Sequence, residues 1–257
     1  MSDHTASPVL TDRTISILSP LVLLGLWEIC ARSHLIDTRF FPAPSNIIIH
    51  LFELASSGAL WKHTIASLYR LVVGFVVGCL PAIVLGLAIG LYRPVRAAFD
   101  PLISATYPIP KSSLLPLILL IFGLGESSKI AMVAIGVFYP VVINTAAGVR
   151  QIPPIFLDVG HNFGASRFNM FRTVALPGAL PLIMTGIKLG AGMGLVLIAI
   201  AEMIGAKEGL GYMIWNAWEL FDVERMYVGL FVIAIIGFVM NVGIDAIERA
   251  VVPWRKR

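Results

Sequence analysis

Apolar residues run along this chain in long blocks separated by short polar stretches, and six blocks exceed the length of an ordinary buried helix. They cover about residues 14–31, 65–92, 99–125, 130–149, 182–201 and 226–247. About 20 apolar residues in a helix cross the hydrocarbon core of a bilayer. Residues 71–92, 130–149 and 226–244 hold no charged side chain at all. A backbone in lipid must satisfy its own hydrogen bonds, so these blocks predict helices. The expected fold class is an all-α membrane protein with six transmembrane helices. Residues 1–13 read as a polar N-terminal tail and 14–257 as one transmembrane domain, with a loop at 150–181.

Two blocks depart from the uniform pattern. The third contains Pro101, Pro108, Pro110 and Pro116. Each proline removes a backbone donor and clashes with the preceding turn, so Tyr107-Pro-Ile-Pro-Lys111 predicts a break. Lys111 either lines a transport path at that break or snorkels to the headgroups. The fifth block carries one charge, Lys188, the second cation at membrane depth and the other candidate for a solute pathway. Gly186, Gly190 and Gly194 recur there at a spacing of four, with Gly192 between. Gly74/Gly78 and Gly86/Gly90 do the same in the second block. Such stripes read either as a close helix interface able to slide or gate, or as ordinary membrane-helix packing.

Composition narrows the class further. Of the 257 residues, 58% are apolar and 13% charged, against about 45–50% and 25% in soluble domains. That excludes disorder, coiled coil and most water-soluble enzymes. The formal charge of +4 comes from basic residues scattered between apolar blocks, so no nucleic-acid surface is expected. Membrane orientation explains them better. With a cytoplasmic N-terminus, the inner segments hold Arg13, Arg93, Arg96, Arg150, Arg167, Arg172, Arg255, Lys256 and Arg257. The outer loops hold Arg32, Arg39, Lys62, Lys129, Lys207 and Arg225. Nine against six places both termini inside. No small-residue cleavage site follows the first block, so that span is expected to be retained. Cys30 and Cys79 sit in apolar runs with no metal-ligand spacing.

The loop at 150–181 is long for a link between membrane helices. Pro153 and Pro154 suit a helix start. Ile155, Val159 and Phe163 share one face, and Phe168 and Phe171 follow. Gly164 to Ser166 marks a turn, with Ser166 a candidate N-cap for a second short helix. Leu176-Pro177 is expected to stop that helix before the fifth span. Two short amphipathic helices about a glycine turn can serve as an interfacial anchor or as a docking surface for a soluble partner.

The same loop resembles the cytoplasmic signature of binding-protein-dependent ABC import permeases: Glu-Ala-Ala, three residues, Gly, nine residues, Ile-x-Leu-Pro. Here Asp158-Val159-Gly160 precedes Gly164, and Val174-Ala-Leu176-Pro177 closes the pattern. The Glu-Ala-Ala triplet departs at all three positions, though an acid is kept. A glycine inside a helix costs about 1 kcal/mol relative to alanine. Further stretches resemble the nitrate/sulfonate/taurine group of these permeases. They are Phe41-Pro-Ala-Pro44, His63-Thr-Ile-Ala-Ser67-Leu-Tyr-Arg70, Leu115-Pro116-Leu117 with Phe122-Gly-Leu-Gly125-Glu-Ser-Ser-Lys129-Ile, Ala201-Glu202 with Gly209-Leu-Gly211, and Trp254.

The resemblance implies a type I ABC importer permease fold and a role as the translocation subunit of an inner-membrane import system for a small anion or organic solute. The implied partners are cytoplasmic ATP-binding subunits, a periplasmic or surface solute-binding protein, and a second copy of this chain. Asp158, Val159, Gly160, Phe163, Gly164, Leu176 and Pro177 would then form the loop that couples to the ATPase. Phe163 and Phe168 are either anchors in that contact or buried against the protein's own inner surface. No Gly-x-x-x-x-Gly-Lys-Ser/Thr loop is present, so this chain is expected to bind no cofactor, with ATP and magnesium on the partner and no enzyme activity of its own. Arg70 is read as snorkelling, and Glu202 as structural, paired with Lys207 or with a neighbouring helix. A proton- or sodium-coupled secondary carrier is the rival reading, but it wants acids inside the spans, and the second, fourth and sixth blocks have none at their middles. An intramembrane enzyme would rest on Lys111 beside Ser112 and Ser113 alone.

Overall fold

The computed structural model describes residues 8–254. Residues 1–7 of the expected tail and the basic residues Arg255, Lys256 and Arg257 lie outside it, as do the side chains of Arg13 and Arg167. All regular structure among the described residues is helical. In chain order the helices are α1 (Pro8–Arg32), α2 (Pro44–Ser56), α3 (Ala59–Leu91), α4 (Arg93–Thr106), α5 (Leu115–Phe122), α6 (Glu126–Arg150), α7 (Pro154–Asn162), α8 (Arg167–Met170), α9 (Leu176–Met203), α10 (Leu210–Glu219) and α11 (Val223–Val251).

Five of the described helices are long and apolar enough to cross a membrane, or six if the pair α4 with Lys111–Phe122, bent by 91°, is counted as one broken span. The bend falls at residues 107–110, where the proline pair denies the helix its donors. The fourth span starts earlier than its apolar block, at Glu126, because an acid is favourable in a helix's first turn.

The centre of the fold is α6, held between α3 on one side and α9 on the other. Val133, Val137, Val141, Val142 and Ala146 of α6 form its core with Leu71, Cys79, Ala82 and Ile89 of α3 and Ile198 of α9. Both glycine stripes face this one helix. Gly74, Gly78, Gly86 and Gly90 lie against Val133, Ala134, Thr145 and Val149, and Gly186, Gly190 and Gly194 lie against Val141, Val137 and Val133. Gly192 stands apart, over open space. Without side chains at the contact, backbones approach closely, and van der Waals packing then holds helices that the hydrophobic effect cannot join in lipid. By contrast, α1 and α11 are mostly unburied and lie at the edge of the bundle.

Two helices, α2 and α10, fall outside both the transmembrane-length blocks and the loop at 150–181. α2 opens with Pro44 at its first turn, and the Glu28 carboxylate of α1 accepts from the Ser45 N–H at 2.9 Å and the Ser45 hydroxyl at 2.8 Å. That accounts for the Phe41-Pro-Ala-Pro44 entry, since a proline costs a helix nothing where its N–H has no partner anyway. α10 occupies what reads as an outer polar loop. Its Leu210 and Met213 join Ile47, Leu60 and Val228 in a second core at the Glu126 end of the bundle.

One expected stop is absent. Leu176-Pro177 does not end the short helix; the chain runs helically from Phe168 to Met203. Phe171–Ala175 forms a π turn, and α9 follows with its proline in the first turn. The Leu176 N–H donates to the Phe171 carbonyl, five residues back in the wider π ladder, so the loop passes into the fifth span as one continuous element.

Candidate functional site

At the Glu126 end, residues from four separate sequence stretches meet in one buried polar knot. Glu202, near the end of α9, is fully buried. Its carboxylate oxygens lie 2.7 and 2.9 Å from the Ser67 hydroxyl, and it accepts from Arg70 Nη1 at 2.8 Å and from the Gly211 N–H at 3.0 Å. The other edge of the Arg70 guanidinium is bidentate on Glu126, with Nε and Nη2 donating at 2.6 and 2.7 Å. Arg70 Nη1 also donates to the Glu208 carbonyl at 2.7 Å. The planar fork therefore joins α3, α6, α9 and the link to α10, a task a point-charged lysine cannot perform.

The surrounding groups complete it. Ser67 accepts from the Leu210 N–H at 2.8 Å, and His63 Nδ1 accepts from the Gly209 N–H at 3.1 Å. Gly209 has φ +127°, and a Cβ there would strike the Glu202 carboxylate, so only glycine fits. Lys129 is buried, and its ammonium donates to the carbonyls of Leu124, Gly125 and Gly205 at 2.6, 3.0 and 3.0 Å. Above the knot opens a cleft of about 480 Å³ lined by Arg70, Leu124, Glu126, Lys129, Lys207 and Glu208. The Lys62 ammonium, 2.9 Å from Glu208, holds that exposed carboxyl below the ordinary carboxylate range.

Arg70 is thus buried and not snorkelling. Glu202 pairs with a neighbouring helix, through Arg70. Neither Glu126 nor Ser67 is singled out by charge or periodicity. The signal that finds them is three of the short motifs, His63 to Arg70, Leu115 to Ile130, and Ala201-Glu202 with Gly209-Leu-Gly211, which between them hold every corner of the knot.

The loop at the Arg150 end has the opposite character. α7 turns at Gly164, whose φ is +69°, and the Ala165 N–H donates back to the Gly160 carbonyl at 3.0 Å. This is a Schellman closure, in which glycine takes the left-handed position. The Ser166 hydroxyl accepts from the Asn169 N–H at 3.2 Å and caps α8. Gly160 faces Met170, so the two short helices cross where a larger residue would collide. Their apolar side chains point outward. Phe163 is 86% exposed and Phe168 68%, with Ile155, Phe156 and Val159 also exposed, and Asp158 lies on the same open surface. Leu176 and Pro177 sit behind, where the π turn enters α9.

The two membrane-depth lysines are separate. Lys111 is buried at the bend, where its ammonium donates to the carbonyls of Thr106, Tyr107 and Ile109 at 3.0, 2.9 and 2.9 Å. It also stands 4.0 Å over the Tyr139 ring. A cation at the end of α4 complements the helix's negative pole and its orphan carbonyls. Lys188 reaches from α9 to α11, where it pairs with Asp245 and lies 2.5 Å from Glu248.

Residues 82–257 match the family of binding-protein-dependent transport system inner membrane components. The chain belongs to that family. The taurine transport system permease protein TauC of Escherichia coli (strain K12) is 36% identical over 252 residues, 96% of this chain and 92% of that one. The putative aliphatic sulfonates transport permease protein SsuC of the same strain is 33% identical, covering 91% and 89%. The solved structure of an amino acid ABC transporter with histidines superposes with a TM-score of 0.58 at 19% identity, over 81% of this permease and 97% of that chain, which shows a shared fold. The chain is therefore a multi-pass permease subunit of an inner-membrane ABC import system and associates with ATP-binding and substrate-binding subunits. Membership decides against the ion-coupled carrier.

Proposed function

We propose that this permease carries a small sulfonate-type organic solute inward, in a homodimer whose transport is driven by ATP hydrolysis on partner subunits. Both termini and the loop at 150–181 then face the cytoplasm, and the polar knot faces the outside. This chain has no ATPase site of its own in that arrangement; ATP and magnesium are held by the partner. The observation that carries the reading is the exposed apolar face of α7 and α8, joined through an unbroken helix to the fifth span. Such a face on a membrane protein's aqueous side needs a soluble protein to cover it. Asp158, Val159, Gly160, Phe163 and Gly164 form the seat, and Leu176 and Pro177 pass its movement into α9. The substrate class is supported by the names of the two bacterial relatives, one a taurine and one an aliphatic-sulfonate permease. Lys111 is given no pathway role, because its donors are already engaged.

The test is reconstitution in proteoliposomes with the cognate ATPase and solute-binding protein. The full assembly should accumulate taurine or an alkanesulfonate only when ATP is supplied. Uphill uptake by the permease alone would overturn the reading.

A further inference from the structure

Among the described residues, a positive φ occurs at two that are not glycine, and one of them is Phe221, at φ +57°. It sits at the corner between α10 and α11. The Asp222 N–H donates to the Ala217 carbonyl at 2.8 Å and the Phe221 N–H to the Trp218 carbonyl at 3.1 Å, the pair of bonds that closes a helix in a Schellman corner. Asp222 then caps α11, its carboxylate accepting from the Arg225 N–H at 3.1 Å. Both sides of the corner are thus tied down, and Phe221 holds the left-handed place that Gly164 takes at the end of α7. A bulky side chain strains that conformation, and glycine would relieve it.

Packing within the chain does little to offset the strain, because Phe221 is 85% exposed. Trp215, Trp218 and Leu220 are exposed beside it in sequence, with the two indole rings 4.8 Å apart. Leu210, Met213, Ile214 and Ala217 are buried on the other face of α10. Acids rim the patch. Glu219 accepts from the Trp215 indole N–H at 3.0 Å, and Asp222 and Glu224 follow Phe221 within three positions. Glu53 of α2 joins them through His50, whose ring nitrogens lie 3.3 Å from Glu53 and 3.9 Å from Asp222. From Gly209 to Met226, Arg225 is the only base.

We propose that this corner docks the solute-binding subunit, with Trp218, Leu220 and Phe221 entering an apolar recess of that partner whose rim carries lysine or arginine. An exposed phenyl on a fixed, strained base suits a contact outside the chain, since little freedom is left to lose on binding. Aromatic side chains inside a polar rim are the usual make-up of a protein–protein contact. A bilayer surface also accepts aromatic rings. It would, however, draw Glu219, Asp222 and Glu224 toward the headgroups, and anionic lipid repels them. The permease works with a substrate-binding subunit, and the corner lies at the Glu126 end, opposite the α7–α8 face. This deepens the proposed function and rests on it for placing that end outside.

The experiment measures the Kd of the cognate solute-binding protein for the permease–ATPase complex in nanodiscs. Phe221→Gly should raise that Kd at least about tenfold. It should leave the unfolding midpoint unchanged or higher, because glycine takes the left-handed corner freely. Phe238→Ala, which truncates a 70% exposed phenyl inside the α11 span, should leave the Kd as it was. Glu219→Lys should weaken binding severalfold, as should added salt in the unaltered complex. A bimane on Phe221→Cys, in a Cys30→Ser/Cys79→Ser background, reads the occupant directly. Its emission should shift to the blue when the solute-binding protein is added and should be untouched by brominated phosphatidylcholine. Unaltered affinity in Phe221→Gly would overturn the proposal, as would a loss that Phe238→Ala matches. Quenching by brominated lipid before the partner is added would assign the corner to the bilayer and overturn it too. Absence of ATP-driven uptake by the unaltered assembly would instead sink the transport reading, since the Kd series measures docking without turnover.

Discussion

Arg70 Nη1 donates to Glu202 Oε1 at 2.8 Å across 132 positions of sequence, and both side chains are withdrawn from solvent. Removing either partner strands the other charge in a low-dielectric interior, which typically costs about 3–5 kcal/mol. Arg70→Met and Glu202→Met should each lower the unfolding midpoint of the detergent-solubilised permease sharply. The double variant should recover a substantial part of the loss, because it leaves no orphan charge at that contact. A double variant as unstable as the sum of the singles would show that the two do not act as a pair.

The glycine stripes make a paired prediction. A methyl on Gly78 meets the Ala134 backbone of α6, whereas one on Gly192 meets nothing. Gly78→Ala should therefore cost about 1–3 kcal/mol as the α3–α6 contact is forced apart. Gly192→Ala should be neutral, or up to about 1 kcal/mol stabilising through helix propensity. Equal effects in a denaturant titration would refute the close approach of α3 to α6.

Lys111 ties down three carbonyls at the bend between α4 and the segment leading to α5. Lys111→Met leaves them without their donor, at about 1–3 kcal/mol for a buried unsatisfied group. Lower complex yield and a lower midpoint are expected, with Lys111→Arg restoring part of both. A variant with full yield and stability but slow uptake would return Lys111 to the transport path.

What the sequence disclosed and what it hid follow from how each interaction is encoded. The membrane spans are written in runs of single residues, so hydropathy alone finds them, and the proline pair at 108 and 110 marks the bend. The α7–α8 turn is local as well, because Gly164 and Ser166 carry its geometry within three positions. The knot is not local. Its corners lie at Ser67, Arg70, Glu126 and Glu202, and charge reasoning sends an arginine near a span's end to the headgroups when its partners are remote. Motif resemblance collects these stretches without saying that they touch. α2 and α10 escape a hydropathy scan because, at 13 and 10 residues, they are too short to span. The run through Leu176-Pro177 escapes it because a π turn is a backbone adjustment with no residue signature of its own.

Phe163 supplies the last prediction, because its 86% exposure separates folding from docking. A side chain that touches so little of its own chain adds little to the fold, so Phe163→Ala should leave the permease's unfolding midpoint unchanged. If α7 and α8 seat in the ATPase, the same truncation removes an aromatic anchor, and such anchors are worth about 2 kcal/mol or more. That predicts at least about a thirtyfold weaker assembly, read by co-purification or by surface binding of the ATPase to immobilised permease. Asp158→Arg, on the same open surface, should also weaken assembly or leave hydrolysis running without uptake. Gly164→Val differs in kind, since a β-branched residue at φ +69° strains the turn itself and should reduce both stability and coupling. Unchanged assembly in Phe163→Ala together with normal uptake in Asp158→Arg would mean that the exposed face is covered by something other than the ATPase.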